Sequence, residues 1–128
     1  RYMIFRTAWL YGDGRNFVKT MLRLAENGDK VRVVEDQVGS PTSARELARA
    51  ITAQLFTDNY GLFHATCEGN CSWADFAREI FRLAGRDTYV EGITSAEFAA
   101  KAPRPAYSIL ENYMLKQIYF IIRSFFQQ

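Results

Sequence analysis

The chain has 128 residues, of which 48% are hydrophobic and 23% are charged, and its formal net charge is +2. This length is enough for one globular domain with its own hydrophobic core, and the composition is ordinary for such a domain. Because the basic residues are dispersed, we expect no nucleic-acid partner. Because the most apolar stretch, residues 118–126, is too short to span a bilayer, we expect no membrane association.

Cysteine and histidine are scarce in the sequence. Cys67, Cys71 and His64 offer fewer ligands than the usual protein metal sites need, so no metal is predicted. His64 follows an apolar strand pattern, which favours a packed core histidine with no chemical role. Since the first residues do not resemble a secretory signal, the two cysteines are interpreted as unreactive thiols of a cytoplasmic protein.

Residues 2–11 are predicted to form a strand that ends in a loop of residues 12–16. A helix over residues 16–26 follows, because Asn16 is a good N-cap and apolar residues then recur at helical spacing. Ligands of open α/β sheets bind beyond the carboxyl ends of the strands. A Trp, a Tyr and two glycines at this junction offer a stacking surface and a closely approachable backbone. A core strand that simply ends in a turn is the alternative interpretation.

The rest of the chain alternates between strand and helix patterns. Predicted strands cover residues 30–35, 60–66 and 89–93, and predicted loops cover residues 36–42, 68–70 and 101–105. Predicted helices begin after Thr42 or Ser43, after Ser72 with Asp75 as a capping box, after Thr94, and near Glu111. This alternation predicts an α/β fold with at least partly parallel strands, in a single unit of residues 1–128.

Six segments, in this order and spacing, match one known family over residues 2–113. They are Arg6-Thr7-Ala8-Trp9-Leu10-Tyr11-Gly12, Asn16-Phe17-Val18-Lys19-Thr20-Met21, Asp36-Gln37-Val38-Gly39-Ser40-Pro41-Thr42, Gly61-Leu62-Phe63-His64, Ser72-Trp73-Ala74-Asp75-Phe76-Ala77 and Arg104-Pro105-Ala106-Tyr107-Ser108-Ile109-Leu110. On these segments together, the chain resembles the C-terminal half of the dTDP-4-dehydrorhamnose reductases, a family of the extended short-chain dehydrogenase/reductase superfamily.

The resemblance implies the C-terminal part of an NAD(P)-binding, Rossmann-like fold, including its small substrate-binding α/β lobe. It implies a fragment of an NADPH-dependent reductase that converts dTDP-4-dehydro-L-rhamnose to dTDP-L-rhamnose for polysaccharide biosynthesis. The family's Gly-x-Gly-x-x-Gly loop and Tyr-x-x-x-Lys pair do not occur in these residues. We therefore expect an N-terminal, dinucleotide-binding half to be missing, with no catalytic residue in this chain. The complete enzyme would use NADPH or NADH, whereas the chain alone is expected to bind no cofactor and to be inactive.

The same resemblance places three residues of the first strand near ligands. Thr7 and Ala8 match positions that pass close to the nicotinamide, where small side chains let the ring approach. Trp9 matches a position that packs on the substrate, and an indole can cover a deoxysugar face. The structural alternative for Thr7 and Ala8 is a tight strand end, and the alternative for Trp9 is packing in the core.

Four further residues are implied to bind the sugar nucleotide. Asn16 and Lys19 stand at a helix N-terminus, which suits a diphosphate, although Lys19 is equally a surface charge. Gln37 belongs to the loop that shapes the pocket with Pro41 and Thr42, and a turn with a helix cap is the alternative there. Arg104, whose backbone is held extended by the proline that follows it, matches an arginine that binds the diphosphate. The alternative is an arginine that is merely exposed on the surface.

Two other readings of the resemblance stay open. One is a non-catalytic, reductase-like regulatory subunit, such as that of methionine adenosyltransferase, and the other is a nucleotide-sugar epimerase or dehydratase of the same superfamily. Arg45 stands where some family members carry a metal-binding carboxylate, which again predicts no metal. The strand of residues 2–11 would have an exposed apolar edge, and residues 118–126 are apolar nearly all round, so we expect self-association.

Overall fold

The computed structural model describes residues 1–100, 102–118 and 122–124. Its strands are β1 (Met3–Arg6), β2 (Leu10–Tyr11), β3 (Lys30–Val34), β4 (Val38–Gly39), β5 (Thr42–Ser43), β6 (Gly61–His64), β7 (Cys71–Ser72) and β8 (Tyr89–Ile93). Its helices are α1 (Phe17–Glu26), α2 (Ala44–Gln54), α3 (Trp73–Leu83), α4 (Ser95–Phe98) and α5 (Tyr113–Gln117). Within the described ranges, no helix combines the length and the apolar character that a bilayer crossing needs.

The chain divides into two compact units. The first consists of Arg1–Gly12, Ser40–Asn70 and Ile109–Gln128, and the second of Asp13–Gly39 and Cys71–Ser108. Three of the four described strand pairs are parallel, two in the first unit and one in the second, whereas β4 and β7 of the second unit pair antiparallel. The sequence pattern predicted strands that are at least partly parallel.

The first unit contains two parallel strand pairs. β1 pairs with β6 in a register that aligns Phe5 with Phe63, and β2 pairs with β5. The rings of Phe5 and Phe63 stack with their centroids 5.4 Å apart, and Phe63 is 1% exposed. Ile4 and Leu62, the preceding register pair, are 49% and 41% exposed. Because side chains alternate between the faces of a sheet, one face of this pair is packed and the other is open.

The predicted single strand of residues 2–11 is wrong, because it is two strands, β1 and β2, with a break at Trp9. Trp9 has φ of 49°, in the left-handed region that an extended strand excludes. Beyond the break, the carbonyl of Trp9 accepts a hydrogen bond from the Thr42 amide at 3.0 Å, so the chain resumes pairing with a different neighbour. The pattern of apolar residues continues through the break and does not reveal it.

The last described helix of the first unit is shorter than the sequence suggested. α5 begins at Tyr113 and ends at Gln117, instead of continuing from residue 111 towards the C-terminus. Asn112, which precedes it, is 3% exposed and bonds both backbone groups of Thr66. Its Oδ1 accepts from the Thr66 amide at 3.0 Å, and its Nδ2 donates to the Thr66 carbonyl at 2.7 Å. The expectation for the apolar tail lies largely outside the described residues, in 119–121 and 125–128.

The second unit is built on the parallel pair β3 and β8, against which α3 packs. α1 packs in turn on α3. The centroid of the Phe17 ring lies 4.6 Å from the centroid of the Trp73 ring and 5.5 Å from that of the Phe76 ring. The buried apolar side chains of this unit come from all four elements. They are Met21, Val31, Val33, Val34, Ala74, Phe76, Ala77, Ile80, Phe81, Val90 and Ile93.

The predicted N-terminal caps of the helices of the second unit are confirmed. Asn16 caps α1, Ser72 and Asp75 form a capping box at α3, and Thr94 forms another at α4. The predicted loop of residues 36–42 is partly wrong, because it contains β4 and the start of β5.

Candidate functional site

The segment Thr7–Trp9 lies at the carboxyl end of β1, where the sequence placed a ligand. All three residues are half-buried. The Oγ1 atom of Thr7 exposes less than 1 Å² and has no hydrogen-bond partner in the part of the chain that the structure describes. A strained Trp9 backbone and an unpaired hydroxyl thus lie within three residues of each other.

Gly12, the last residue of the first recognised segment, lies against helix α2. A Cβ atom at Gly12 would come within 2.8 Å of the Cβ of Ala44, the first residue of α2. The sequence suggested a glycine that something approaches closely. In the structure, helix α2 of the protein itself approaches Gly12, so close packing explains why a glycine stands at this position.

Tyr11 has a hydroxyl that stays protonated at neutral pH. Burial, with smaller contributions from the nearby Cys67 and Glu46, raises its pKa to about 12. Glu46 is itself buried, and its carboxylate accepts a hydrogen bond from Nε of Arg49 at 3.0 Å and forms an ion pair with Nη2 of Arg49 at 2.9 Å. Tyr11 therefore lacks the lowered pKa of an activated phenol.

The N-terminus of α1 carries the predicted pair Asn16 and Lys19. The Oδ1 atom of Asn16 accepts the Lys19 amide at 3.1 Å, and its Nδ2 atom donates to the Gly14 carbonyl at 3.1 Å. The structure therefore brings the two residues together, with the Asn16 amide occupied in shaping the helix start.

An open cleft of about 160 Å³ lies beside this helix start. Six residues line it, three of them cationic and none acidic: Gly14, Arg15, Asn16, Lys19, Thr20 and Arg23. The sequence reasoning missed Arg15 and Arg23. Arg23 stands four residues after Lys19 on the same face of α1, and Arg15 directly precedes the N-cap residue. The positive charge and the helix dipole together favour an anion here.

Gln37 is buried and its side chain is used within the second unit. Its Nε2 atom donates to the Ser95 hydroxyl at 2.8 Å, and that hydroxyl donates to Asp36 at 2.6 Å. The hydrogen bonds from Ser95 lower the pKa of the exposed Asp36 carboxyl. Gln37 therefore fixes the start of α4, which supports the turn-and-cap alternative for its amide nitrogen.

Arg104 is exposed and lies just before a segment that is fixed to β4. The Val38 amide donates to the Ala106 carbonyl at 2.8 Å, and the Ser108 amide donates to the Val38 carbonyl at 2.9 Å. These bonds anchor the backbone two residues beyond Arg104, next to Gln37. Among the described residues Arg104 makes no ion pair, so its guanidinium is available to a ligand.

His64 and Cys71 are not arranged for a chemical reaction. Nδ1 of His64 lies 3.1 Å from the Glu111 carbonyl, a structural contact at the edge of β6. Burial, with a smaller contribution from Asp75, raises the pKa of Cys71 to about 12, so its thiol is not an activated nucleophile. No group of three or more metal-binding side chains occurs within residues 1–100, 102–118 and 122–124.

Comparisons with known proteins all point to one family. The sequence profile described as RmlD substrate binding domain matches residues 1–128. The chain is 44% identical, over 89% of its length, to the spore coat polysaccharide biosynthesis protein SpsK of Bacillus subtilis, of which it covers 40%.

Two solved dTDP-4-dehydrorhamnose reductases share the fold closely. The enzyme from Clostridium acetobutylicum is 54% identical with a TM-score of 0.93, over 96% of this chain and 44% of its own. The enzyme from Bacillus anthracis, solved in complex with NADP, is 42% identical with a TM-score of 0.94, over 97% of this chain and 45% of its own. The chain thus spans less than half the length of these relatives and has the C-terminal, Rossmann-like architecture of the superfamily.

Proposed function

Because the chain belongs to the RmlD substrate binding domain family over residues 1–128, we propose that it is the nucleotide-sugar-binding part of a dTDP-4-dehydrorhamnose reductase. The complete enzyme would reduce dTDP-4-dehydro-L-rhamnose to dTDP-L-rhamnose with NADPH or NADH. The family match over the whole chain carries this proposal. The identity of 54% to a solved reductase favours it over an epimerase or a dehydratase of the superfamily.

Individual residues have proposed roles in binding the sugar nucleotide. Trp9 would cover a face of the sugar with its half-buried indole. Asn16 and Lys19 would meet the diphosphate at the positive end of α1, and Arg104 would bind phosphate oxygens with its exposed guanidinium. Gln37 would form the pocket wall, held in place by its bond to Ser95.

The nicotinamide cofactor fits this chain only in part. Thr7 and Ala8 lie at a strand end, and the unpaired Thr7 hydroxyl offers a hydrogen bond that no described residue uses. The sequence holds no glycine-rich loop for a pyrophosphate and no Tyr-x-x-x-Lys pair. When bound, the cofactor supplies a hydride, and we propose that this chain contributes only a wall beside its ring and no turnover of its own. The cysteines Cys67 and Cys71 are consistent with the cytoplasmic compartment that we propose.

Calorimetric titration of the chain tests the proposal. dTDP-L-rhamnose is expected to bind, and UDP-glucose to bind more weakly. Arg104→Ala should weaken the binding of dTDP-L-rhamnose by roughly tenfold or more, because a charge-assisted bond to phosphate is lost. Arg86→Ala, which removes another exposed arginine of the same unit, is the matched control and should leave the affinity unchanged.

Two results would count against the proposal. Equal affinity for dTDP-L-rhamnose and UDP-glucose would remove the assignment to a dTDP-sugar in particular, and an unchanged affinity of Arg104→Ala would remove Arg104 from the site. NADPH consumption with dTDP-4-dehydro-L-rhamnose, measured by absorbance, should be absent for the chain alone. Turnover in that assay would show that the chain is an enzyme by itself.

A further inference from the structure

Tyr107 is an exposed aromatic residue on a backbone that the fold holds in place. It is 70% exposed, although the residues on both sides of it are bonded to Val38 of β4. The Val38 amide donates to the Ala106 carbonyl at 2.8 Å, and the Val38 carbonyl accepts from the amide and the hydroxyl of Ser108, at 2.9 Å and 3.3 Å. The exposure of Tyr107 therefore does not come from a loose loop.

The ring of Tyr107 is not used within the part of the chain that the structure describes. Tyr60, another exposed tyrosine, donates from its hydroxyl to Asp58 at 3.2 Å, and the centroid of its ring lies 5.4 Å from Cζ of Arg1. Tyr107 has neither kind of contact among the described residues. An aromatic face that is unused, on a backbone that is already ordered, can bind a ligand at a small entropic cost.

The position of Tyr107 relative to Arg104 fits the dimensions of a nucleotide. Arg104 is proposed to bind the diphosphate, and Tyr107 follows it by three residues in the same unit. Three residues of extended chain span at most roughly 10 Å, which is comparable to the separation of diphosphate and base in an extended nucleotide. Of the three parts of a dTDP-sugar, the sugar and the diphosphate have proposed partners in this chain, whereas the nucleoside has none.

We propose that Tyr107 stacks on the pyrimidine base of the bound sugar nucleotide. Its phenol ring offers a flat apolar face that matches a pyrimidine in size, and stacking removes both faces from water. Because every base has such a face, Tyr107 contributes affinity for the nucleoside and does not choose between thymine and uracil. This inference rests on the proposed function and adds to it a residue that holds the nucleoside.

Calorimetric titration of variants of the full chain tests the stacking. Tyr107→Ala should weaken the binding of dTDP and of dTDP-L-rhamnose roughly tenfold, because both carry the base, and Tyr107→Phe should keep the wild-type affinity. Inorganic pyrophosphate carries no base, so Tyr107→Ala should bind it as the wild type does. Tyr89→Ala is the matched control and should change no affinity, because it removes a tyrosine of the same unit that is 64% exposed at the start of β8.

Three results would overturn the stacking and leave the proposed function standing. The first is a wild type that binds dTDP-L-rhamnose no better than Tyr107→Ala does. The second is an equal loss for Tyr107→Phe, which would mean that the hydroxyl and not the ring makes the contact. The third is weaker binding of pyrophosphate by Tyr107→Ala, which would mean that the substitution disturbs the diphosphate site. If the wild type binds neither dTDP nor dTDP-L-rhamnose, the proposed function fails and the role of Tyr107 fails with it.

Discussion

The connection from β1 to β2 in the first unit and the connection from β8 to α4 in the second both follow a parallel strand, but they treat their polar groups in opposite ways. After β8, Thr94 and Glu97 exchange hydrogen bonds in a capping box, and the Ser95 amide donates to Asp36 at 2.9 Å. After β1, the Thr7 hydroxyl has no described partner and Trp9 is left-handed.

This difference separates a strand end whose polar groups are all used locally from one whose polar groups are not. The β8 end is complete, because the side chains around it already satisfy the first turn of α4. The β1 end retains a buried hydroxyl without a described partner and a residue in the left-handed region. The comparison also predicts that the first unit depends on contacts between segments distant in sequence, whereas the helix starts of the second depend on neighbours.

Removal of the Asn112 side chain should have the largest effect. Besides its two bonds to Thr66, Asn112 donates from Nδ2 to Glu68 at 2.9 Å, and all of these groups are at least partly buried. Asn112→Ala is expected to lower the free energy of unfolding by about 3 kcal/mol or more, because Thr66 is left with buried, unpaired backbone groups. Urea unfolding followed by circular dichroism measures this loss.

An exposed asparagine provides the control for that experiment. Asn27 donates to the Arg23 carbonyl at 3.2 Å on the surface of α1, where water can replace the lost bond. Asn27→Ala should therefore cost less than about 1 kcal/mol. If Asn112→Ala cost no more than Asn27→Ala, the first unit would not depend on this long-range contact.

Substitution of Gly12 should have the next largest effect. The new Cβ of Gly12→Ala would lie 2.8 Å from the Cβ of Ala44, and we expect a loss of about 2 kcal/mol from overpacking. Ala44→Gly removes the clashing atom, so Gly12→Ala should cost much less in that background. The double-mutant cycle, again by urea unfolding, isolates the contact.

A second glycine distinguishes this contact from backbone strain. Gly14 has φ of +84° and open space around its Cβ position, so Gly14→Ala should cost about 1 kcal/mol for conformation alone, whether residue 44 is Ala or Gly. An equal cost of Gly12→Ala in both backgrounds would mean that the approach of α2 does not explain Gly12.

These contacts show why the sequence predicted one region better than the other. The caps at Asn16, Ser72 and Thr94 lie within four residues of their partners, so a short window of sequence contains the whole signal. The break at Trp9 depends on Thr42, and the start of α5 follows a residue that is bonded to Thr66, so in both cases the partner is more than thirty residues away. No local pattern records such partners.

The same reasoning applies to the candidate site. Asn16 and Lys19 were placed together correctly, because one helix turn determines their separation. Gln37 was expected to line a pocket, and its bond to Ser95, 58 residues away, was not foreseeable from the sequence. The roles proposed for Trp9 and Arg104 came from a resemblance to a family and stay predictions.

The smallest expected effect concerns a local cap and its pH dependence. The Ser72 hydroxyl, more than any other group, lowers the pKa of the Asp75 carboxyl, with Arg78 adding to the effect and burial opposing it. A carboxyl whose pKa is lower in the folded state stabilises the protein above its unfolded-state pKa, and this stabilisation disappears as the pH falls through the folded-state pKa. Ser72→Ala should therefore cost about 1 kcal/mol near neutral pH and distinctly less at a pH low enough to protonate Asp75 in the folded state.

Ser43 is the matched control for this prediction, because it occupies the N-cap position of α2 without a side-chain capping bond. Ser43→Ala should change the free energy of unfolding by the same amount at both pH values, since no carboxyl depends on its hydroxyl as a cap. Asp36 and Glu97 titrate in the same way in the wild type and in both variants. Their contributions to the free energy of unfolding therefore cancel when a variant is compared with the wild type. If Ser72→Ala cost the same at both pH values, the Ser72–Asp75 bond would not couple to the charge of Asp75, and the local cap would be held by shape alone.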